Sequence, residues 1–454
     1  MKVLIISEFI APVRAVASIR WTKLGKYLHQ AYGIEIEILT NKKRYCDEIR
    51  PAYYQYDPSA LRDLQAFRVH EIPETIIVRI INAIFYGVSK VIISQKREPK
   101  TTPVLSNQQN EVSFFQKIYR AVYARLFTAK GLSLVARAMR MEIDWSQYDV
   151  IVSSFEPRWV HEVAGGIKKR FPDLIWIADY RDSAIYAGGV LANEANTFAA
   201  KYTSSADMIT AVSQGTIEAL NVPDDQNRVV VTNGYDPEEL TSRERMPFQK
   251  FVLAYTGTLY NQGEAISDLK PLLRALSELI DEGRVCADHI ELSYAGVSEE
   301  EFVKQVSAFP RVPWKSYGLL SRDEALKLQN RASLLLLCTW NTKRVSGIIT
   351  GKVYEYFSSK VPIVCLCAGE VPYSASREMI EKSNTGFCYE EACDVVDYKN
   401  LVSFLYNKYT EWKTGGMTTC GSNWDYINSF GYDHLAEKVY ELINDLKNKE
   451  DVPS

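Results

Sequence analysis

The chain has 454 residues, 46% of them hydrophobic and 24% charged, with a formal net charge of -3. This is the composition of a globular protein too long for one ordinary core, so two domains of roughly 200 residues each are expected. The near-neutral balance gives no global reason to expect nucleic acid, and the eight cysteines, scattered without C-x-x-C spacing or histidine partners, suggest neither a zinc site nor a disulfide framework.

The opening residues MKVLII are apolar, but Glu8 closes the run too early for a signal core or a membrane span, so it reads as a first buried strand. Further strand-like runs at 34–40, 150–153, 174–178, 208–212 and 229–231 alternate with helix-length segments, which is βαβ alternation. It restarts at 251–255 and continues at 290–294, 333–338, 362–367 and, weakly, 386–389. The polar, proline-bearing stretch 236–249 between the two series reads as a linker. The expected fold is therefore α/β, with two doubly wound Rossmann-like domains at 1–240 and 251–420 facing across a cleft, the default ligand site. Residues 421–454 close the chain as a helix.

Between about 76 and 140 the alternation fails and the pattern turns helical, as an insertion would. The segment carries eleven Lys and Arg, among them Lys117, Arg120 and Arg125, against two Glu, a net charge of +9 that leaves -12 on the rest. Cations interleaved with Ile, Val, Leu and Phe suit an anionic membrane surface; a helical layer packed on the first sheet with its lysines in water is the alternative.

Two places concentrate chemistry. After the strand at 174–178, Arg181 and Asp182 project from the carboxyl edge of the first sheet, where Asp182 would orient or deprotonate an acceptor hydroxyl and Arg181 would hold it ionised, or the two would form a structural ion pair. Glu156, Arg158 and His161, following the preceding strand, either line the same cleft or start a helix. In the second half, GIITGKVYEYFSSKVPIV (347–364) sets Glu355 on a short helix between a glycine-flanked turn and a buried strand. Gly351 and Lys352 there can face a phosphate, and a carboxylate is a two-lobed acceptor matched to the vicinal diol of a ribose. The plain alternative is an amphipathic helix with Glu355 in water.

MKVLIISEFIAPVRAVASIRWTKLGKYL, IADYRDSAIYAGG, AVSQGTIEAL with VVVTNGYDPEEL, AYTGTLYNQGEAISDLKPLLRAL, YGLLSRDEALKLQNRASLLLL and KVYEYFSSKVPIV, in this order, resemble the GT-B-fold glycosyltransferases, in particular the family-4-type retaining enzymes that build bacterial surface polysaccharides. The resemblance spans nearly the whole chain and implies a metal-independent, retaining transfer of a sugar from a nucleoside diphosphate donor, UDP-sugar favoured, with no cofactor. It implies a hydroxyl of a lipid-linked or growing surface glycan as acceptor, and a cytoplasmic protein peripheral on the inner face of the cell membrane. It implies Glu355 at the donor ribose, with Gly351, Lys352, Arg344, Gly257 and Thr258 around the nucleotide. Arg181 and Asp182 are the catalytic candidates, Arg20, Glu156 and Arg158 lie on the acceptor side, and the last helix crosses back to the first domain. There are departures. The first glutamate of the family's E-x7-E pair is Gly347, the opening glycine pair is replaced by APVRAVA (11–17), the loop histidine by Arg181, and the donor-turn arginine and lysine by Thr258 and Gln262. An epimerase or hydrolase of nucleotide sugars, or a catalytically silent sugar-binding scaffold, are the other readings.

Overall fold

The computed structural model describes residues 1–14, 16–41, 55–56, 58–76, 78–81, 114–181, 201–220, 222–239, 245 and 248–450. Asp182, Cys46 and insertion residues 82–113 lie outside the described residues, as do the side chains of Arg14, Lys117, Arg120 and Gln262. The chain divides into two compact units, one of Met1–Ala211, Ala219–Val229 and Leu442–Ser454, the other of Val212–Glu218 and Val230–Glu441. The main change of unit, at 229/230, precedes the polar stretch chosen from the sequence.

The first unit is built on seven strands, β1 (Lys2–Ser7), β2 (Glu35–Asn41), β3 (Arg68–Ile72), β4 (Val150–Phe155), β5 (Ile175–Tyr180), β6 (Met208–Ala211) and β7 (Arg228–Val230), in the order β3-β2-β1-β4-β5-β6-β7. The pairings from β3 across to β6 are parallel, so the connections are crossovers through helices α1 (Val16–Tyr32), α2 (Phe114–Ala138) and α3 (Trp159–Arg170). The order reverses between β1 and β4, the switch point at which such sheets hold ligands. β4 and β5 are buried at every residue, as central strands covered on both faces must be. A short helix α4 (Gln214–Ala219) follows β6. Of the expected helical insertion, the described parts are a turn at 78–81 and the 25 residues of α2.

The second unit repeats the plan with β8 (Phe251–Thr256), β9 (Ile290–Ala295), β10 (Trp314–Ser316), β11 (Leu334–Trp340), β12 (Ile363–Ala368) and β13 (Gly386–Glu390) in the order β10-β9-β8-β11-β12-β13, all parallel. One face is covered by α5 (Lys270–Asp281), α6 (Glu299–Val306) and α10 (Asp394–Gly415), the other by α7 (Arg322–Arg331), α8 (Lys352–Phe357), α9 (Ala375–Ser383) and α11 (Trp424–Asn428). In α5, Leu272, Leu273, Leu276 and Leu279 recur on one stripe and are buried, the spacing that turns a helix face toward a sheet. Cys365 and Cys367 lie buried on one face of β12, and the seven described cysteines are free thiols. The last helix, α12 (Tyr432–Glu450), begins in the second unit and ends in the first, where Lys447 Nζ reaches Asp149 Oδ1 at 2.9 Å. No helix of the described residues is long and apolar enough to cross a membrane.

Candidate functional site

At the carboxyl edge of the second sheet, β8 ends in Thr256 and turns at Gly257, whose φ of +129° belongs to glycine. The side chain of Lys352, from the start of α8, crosses this turn: a Cβ on Gly257 would stand 1.9 Å from Lys352 Nζ. Lys352 Nζ also lies 5.9 Å from the ring centre of Tyr255, whose hydroxyl donates to the Thr258 carbonyl at 2.8 Å. Gly257, Thr258 and Lys352, singled out separately in the sequence, are thus gathered at one strand end.

Glu355 follows one turn into α8. Gln329 Nε2, 2% exposed, donates to Glu355 Oε1 at 2.6 Å and to Thr256 Oγ1 at 2.8 Å, tying the carboxylate to the sheet. Arg322 Nη1 stands 3.8 Å from Glu355 Oε2 while Nη2 is 2.7 Å from Glu239 Oε2. Both residues come from α7, whose start is fixed by a capping box: Ser321 Oγ accepts from Glu324 N, and Glu324 Oε2 accepts from Ser321 N at 3.0 Å. Gln329 and Arg322 were not singled out from the sequence; a glutamine at the otherwise apolar inner spacing of α7 was the available signal.

Two expectations about this region change. Gly351 is the cap of α8, φ -57°, and α8 has only six residues, too short for its end to act as an anion site. The positive charges here are the Lys352 ammonium and the Arg322 guanidinium. Arg344 points away into solvent, with a side chain 77% exposed and Nη1 3.5 Å from Glu264 Oε1. The left-handed glycine of the loop is Gly347, φ +71°, and its backbone abuts Gly215: a Cβ on either would come within 2.9 Å of the other's Cα. The glutamate missing from position 347 therefore has no room there.

In the first unit, Arg20 does not face an acceptor. It is wholly buried and ion-paired with Asp179 of β5, Nη2 to Oδ1 at 2.7 Å and Nε to Oδ2 at 3.1 Å. Trp21 Nε1, Thr210 Oγ1 and Ser154 Oγ also donate to that carboxylate, at 2.6, 2.7 and 3.1 Å. Burial opposes ionisation of Asp179, but the Arg20 charge and these hydrogen bonds outweigh it and hold the carboxyl below its usual range. Arg181 follows directly at the end of β5; its guanidinium donates to the Glu156 carbonyl and lies 5.0 Å from the Phe9 ring centre. Arg158 pairs with Glu162 at 3.3 Å, one helical turn along α3. His161 is a core residue, bound at Nδ1 to Ser153 Oγ at 2.7 Å and pushed by burial down to about 3. Glu8, at the end of β1, accepts from Trp159 Nε1 at 2.7 Å and from Asn41 Nδ2 at 3.1 Å. Among the described residues no three His, Cys, Asp or Glu converge as metal ligands would.

No protein-family model matches the chain, and no curated protein matches it by sequence. Among solved structures it is similar to the N-terminal domain of trehalose-6-phosphate phosphatase from Candida albicans, with a TM-score of 0.60 and 10% identity over 98% of this chain and 97% of that one. It is similar over the full length of both chains, at 10% identity and a TM-score of 0.58, to an E. coli structure described as trehalose-6-phosphate bound with UDP-2-fluoro glucose. A trehalose-6-phosphate synthase studied for enzymatic glycosyltransfer with retention matches at 11% identity and a TM-score of 0.54, again over all of both chains. Likeness at such identity is one of fold, and the fold is GT-B, two units with parallel sheets as found in glycosyltransferases that use nucleotide sugars.

Proposed function

We propose that this protein is a glycosyltransferase that moves a sugar, with retention of configuration, from a nucleoside diphosphate donor to a hydroxyl of a lipid-linked or growing surface glycan. The observation that carries the reading is the Thr256–Gln329–Glu355 chain beside Lys352 and Gly257, a fixed carboxylate and an ammonium at the carboxyl edge of the second sheet. Glu355 would accept from the ribose hydroxyls. Lys352 would meet the diphosphate, whose charge grows as the sugar–phosphate bond breaks and needs a preorganised cation. Among the neighbours in fold, one was bound with UDP-2-fluoro glucose, which favours UDP as the nucleotide.

The first unit would take the acceptor. Arg181, held at the end of β5 by the Glu156 carbonyl and Phe9, would orient it, and Asp182, next in the chain, would receive the hydroxyl proton. Countercharge supplied by side chains makes the reaction independent of added metal, and a peripheral position on the inner membrane face would present a lipid-linked acceptor. Gly347, packed on Gly215 where the family's first glutamate would stand, favours a second reading, a nucleotide-sugar-binding subunit without transfer.

The test is calorimetric binding of UDP, GDP, CDP and dTDP in EDTA to the wild type and to Glu355→Ala. One diphosphate bound by the wild type and lost in the variant supports the donor assignment; binding of none removes it. Transfer assays with a matching donor then separate the enzyme from the silent subunit.

A further inference from the structure

On the α5–α10 face of the second sheet, the ends of β12 and β13 and the starts of α5 and α10 line an open pocket of about 410 Å³, the size of a small-molecule site, with Lys270, Arg274 and Glu391 at its exposed rim. Its helical walls, α5 and α10, cover the opposite face of the sheet from α8 and Glu355. Asp268, Lys270, Arg274, Glu391 and Asp394 converge on it, with Tyr389 among the lining residues.

Each carboxylate is held by one oxygen. Asp268 Oδ1 accepts from Lys270 N at 3.0 Å, Glu391 Oε2 from Gly369 N at 2.8 Å, and Asp394 Oδ1 from Tyr389 OH at 2.8 Å. The second oxygen of each, and the Lys270 ammonium, have no partner among the described residues. Arg274 is braced 3.6 Å from the Tyr398 ring centre, which fixes where its remaining donors point. The result is three carboxylates, each anchored through one oxygen, and a braced guanidinium beside the aromatic side chains of Tyr389 and Phe309, with the Lys270 ammonium at the exposed rim.

The charges select among ligands. Three carboxylates against two cations leave the cavity net negative, which disfavours a phosphate or a nucleotide. A neutral, hydroxyl-rich ring fits instead: vicinal hydroxyls donate to carboxylates and accept from Lys and Arg, and an apolar ring face rests on an aromatic.

We infer that this cavity is a binding site for an uncharged monosaccharide ring, an assignment that rests on the glycosyl-transfer reading for its use. The ring is either the sugar of the donor or a separate saccharide.

Saturation-transfer NMR of glucose, galactose, mannose and N-acetylglucosamine, without nucleotide, and calorimetry of UDP and the corresponding UDP-sugars decide it. Both are run on the wild type, Asp394→Asn and Glu391→Gln, with unchanged melting temperature and UDP affinity showing that the variants are folded. If the ring is the donor's own, the variants bind the UDP-sugar about tenfold more weakly and UDP as before. If it is a separate saccharide, UDP-sugar affinity stays and saturation transfer to the free monosaccharide is lost. Saturation transfer that survives both substitutions overturns the site, as does its absence in the wild type together with equal UDP-sugar affinity in all three proteins. Failure of Glu355→Ala to affect UDP binding would sink the donor reading while leaving the monosaccharide result as it stands.

Discussion

A carboxylate recognises a diol only if its rotamer is fixed, and Glu355 is fixed by a residue 26 positions earlier in the chain. Gln329 spends its amide hydrogens on Glu355 and Thr256, so Gln329→Leu removes both hydrogen bonds and frees the carboxylate to turn. Affinity for the nucleoside diphosphate should fall about tenfold, read by calorimetry, and at least as far for Gln329→Glu, which replaces the donor by a second carboxylate against Glu355. Arg20 and Asp179 illustrate the other kind of buried charge. Asp179 was not singled out from the sequence: it lies inside the apolar run IWIADY, and its partner is 159 positions away on α1, a pairing no local pattern contains. Removing one member strands the other, so Arg20→Met should destabilise the first unit by about 3–5 kcal/mol in denaturant titration. Glu37 supplies the pH dependence. Burial opposes its charge, but hydrogen bonds from His70, Lys2 and Tyr148 outweigh it and bring the carboxyl down to about 2. A depressed folded value means that this stabilisation is complete above the unfolded value near ~4.3 and is lost as the pH falls toward 2. The melting temperature of the wild type should drop through that window, and Glu37→Gln, already lacking the charge, should show a shallower decline.

Elements were legible where burial imposed a pattern. The central strands β1, β4, β5, β8, β11 and β12 are almost wholly buried, so each is a short apolar run bounded by turns. β3 and β10 escaped notice because each is an edge: Arg68, Val69 and Glu71 of β3 and Trp314 and Lys315 of β10 are exposed, and one paired side leaves no hydrophobic signature. α8 shows a different limit. Its glycine and lysine suggested an anion-binding helix end, yet whether a helix is long enough to carry a useful dipole depends on where the following strand must start, and α8 stops after six residues. The cap of α7 matters more. Ser321 orients the helix that delivers Arg322 and Gln329, so Ser321→Ala should cost about 1 kcal/mol of stability and weaken nucleotide binding along with it. If thermal denaturation moves and nucleotide affinity does not, α7 is held by its packing and the cap is only a local device.

At the scale of the whole molecule, two series of βαβ alternation were enough to foresee two sheets, and the 3-2-1-4-5-6 strand order common to both explains why chemistry-bearing residues gather at their carboxyl edges. The insertion is where charge and shape coincide. α2 has 25 residues, about 37 Å of helix, against strands of five or six residues, about 20 Å, in β3 and β4. The helix is thus much longer than the strands of the sheet it accompanies. Leu134 and Ala138 are buried on one face, while Arg125, Leu132, Arg137 and Arg140 are exposed. An anionic bilayer would take such a face, each near-surface arginine contributing about 1 kcal/mol. Replacing Arg125, Arg137 and Arg140 by Gln removes three such contributions, so flotation on phosphatidylglycerol-containing vesicles should weaken on the order of 100-fold, and high salt should mimic the substitution. Arg125 and Arg137 of α2, and Arg140 just beyond its end, are exposed side chains of the first unit, so nucleotide affinity should be unaffected, which separates a lost membrane contact from a lost fold. Equal flotation of the triple variant, or equal binding to purely zwitterionic vesicles, would return α2 to the alternative left open by the sequence, a helix layered on the first sheet with its cations in water.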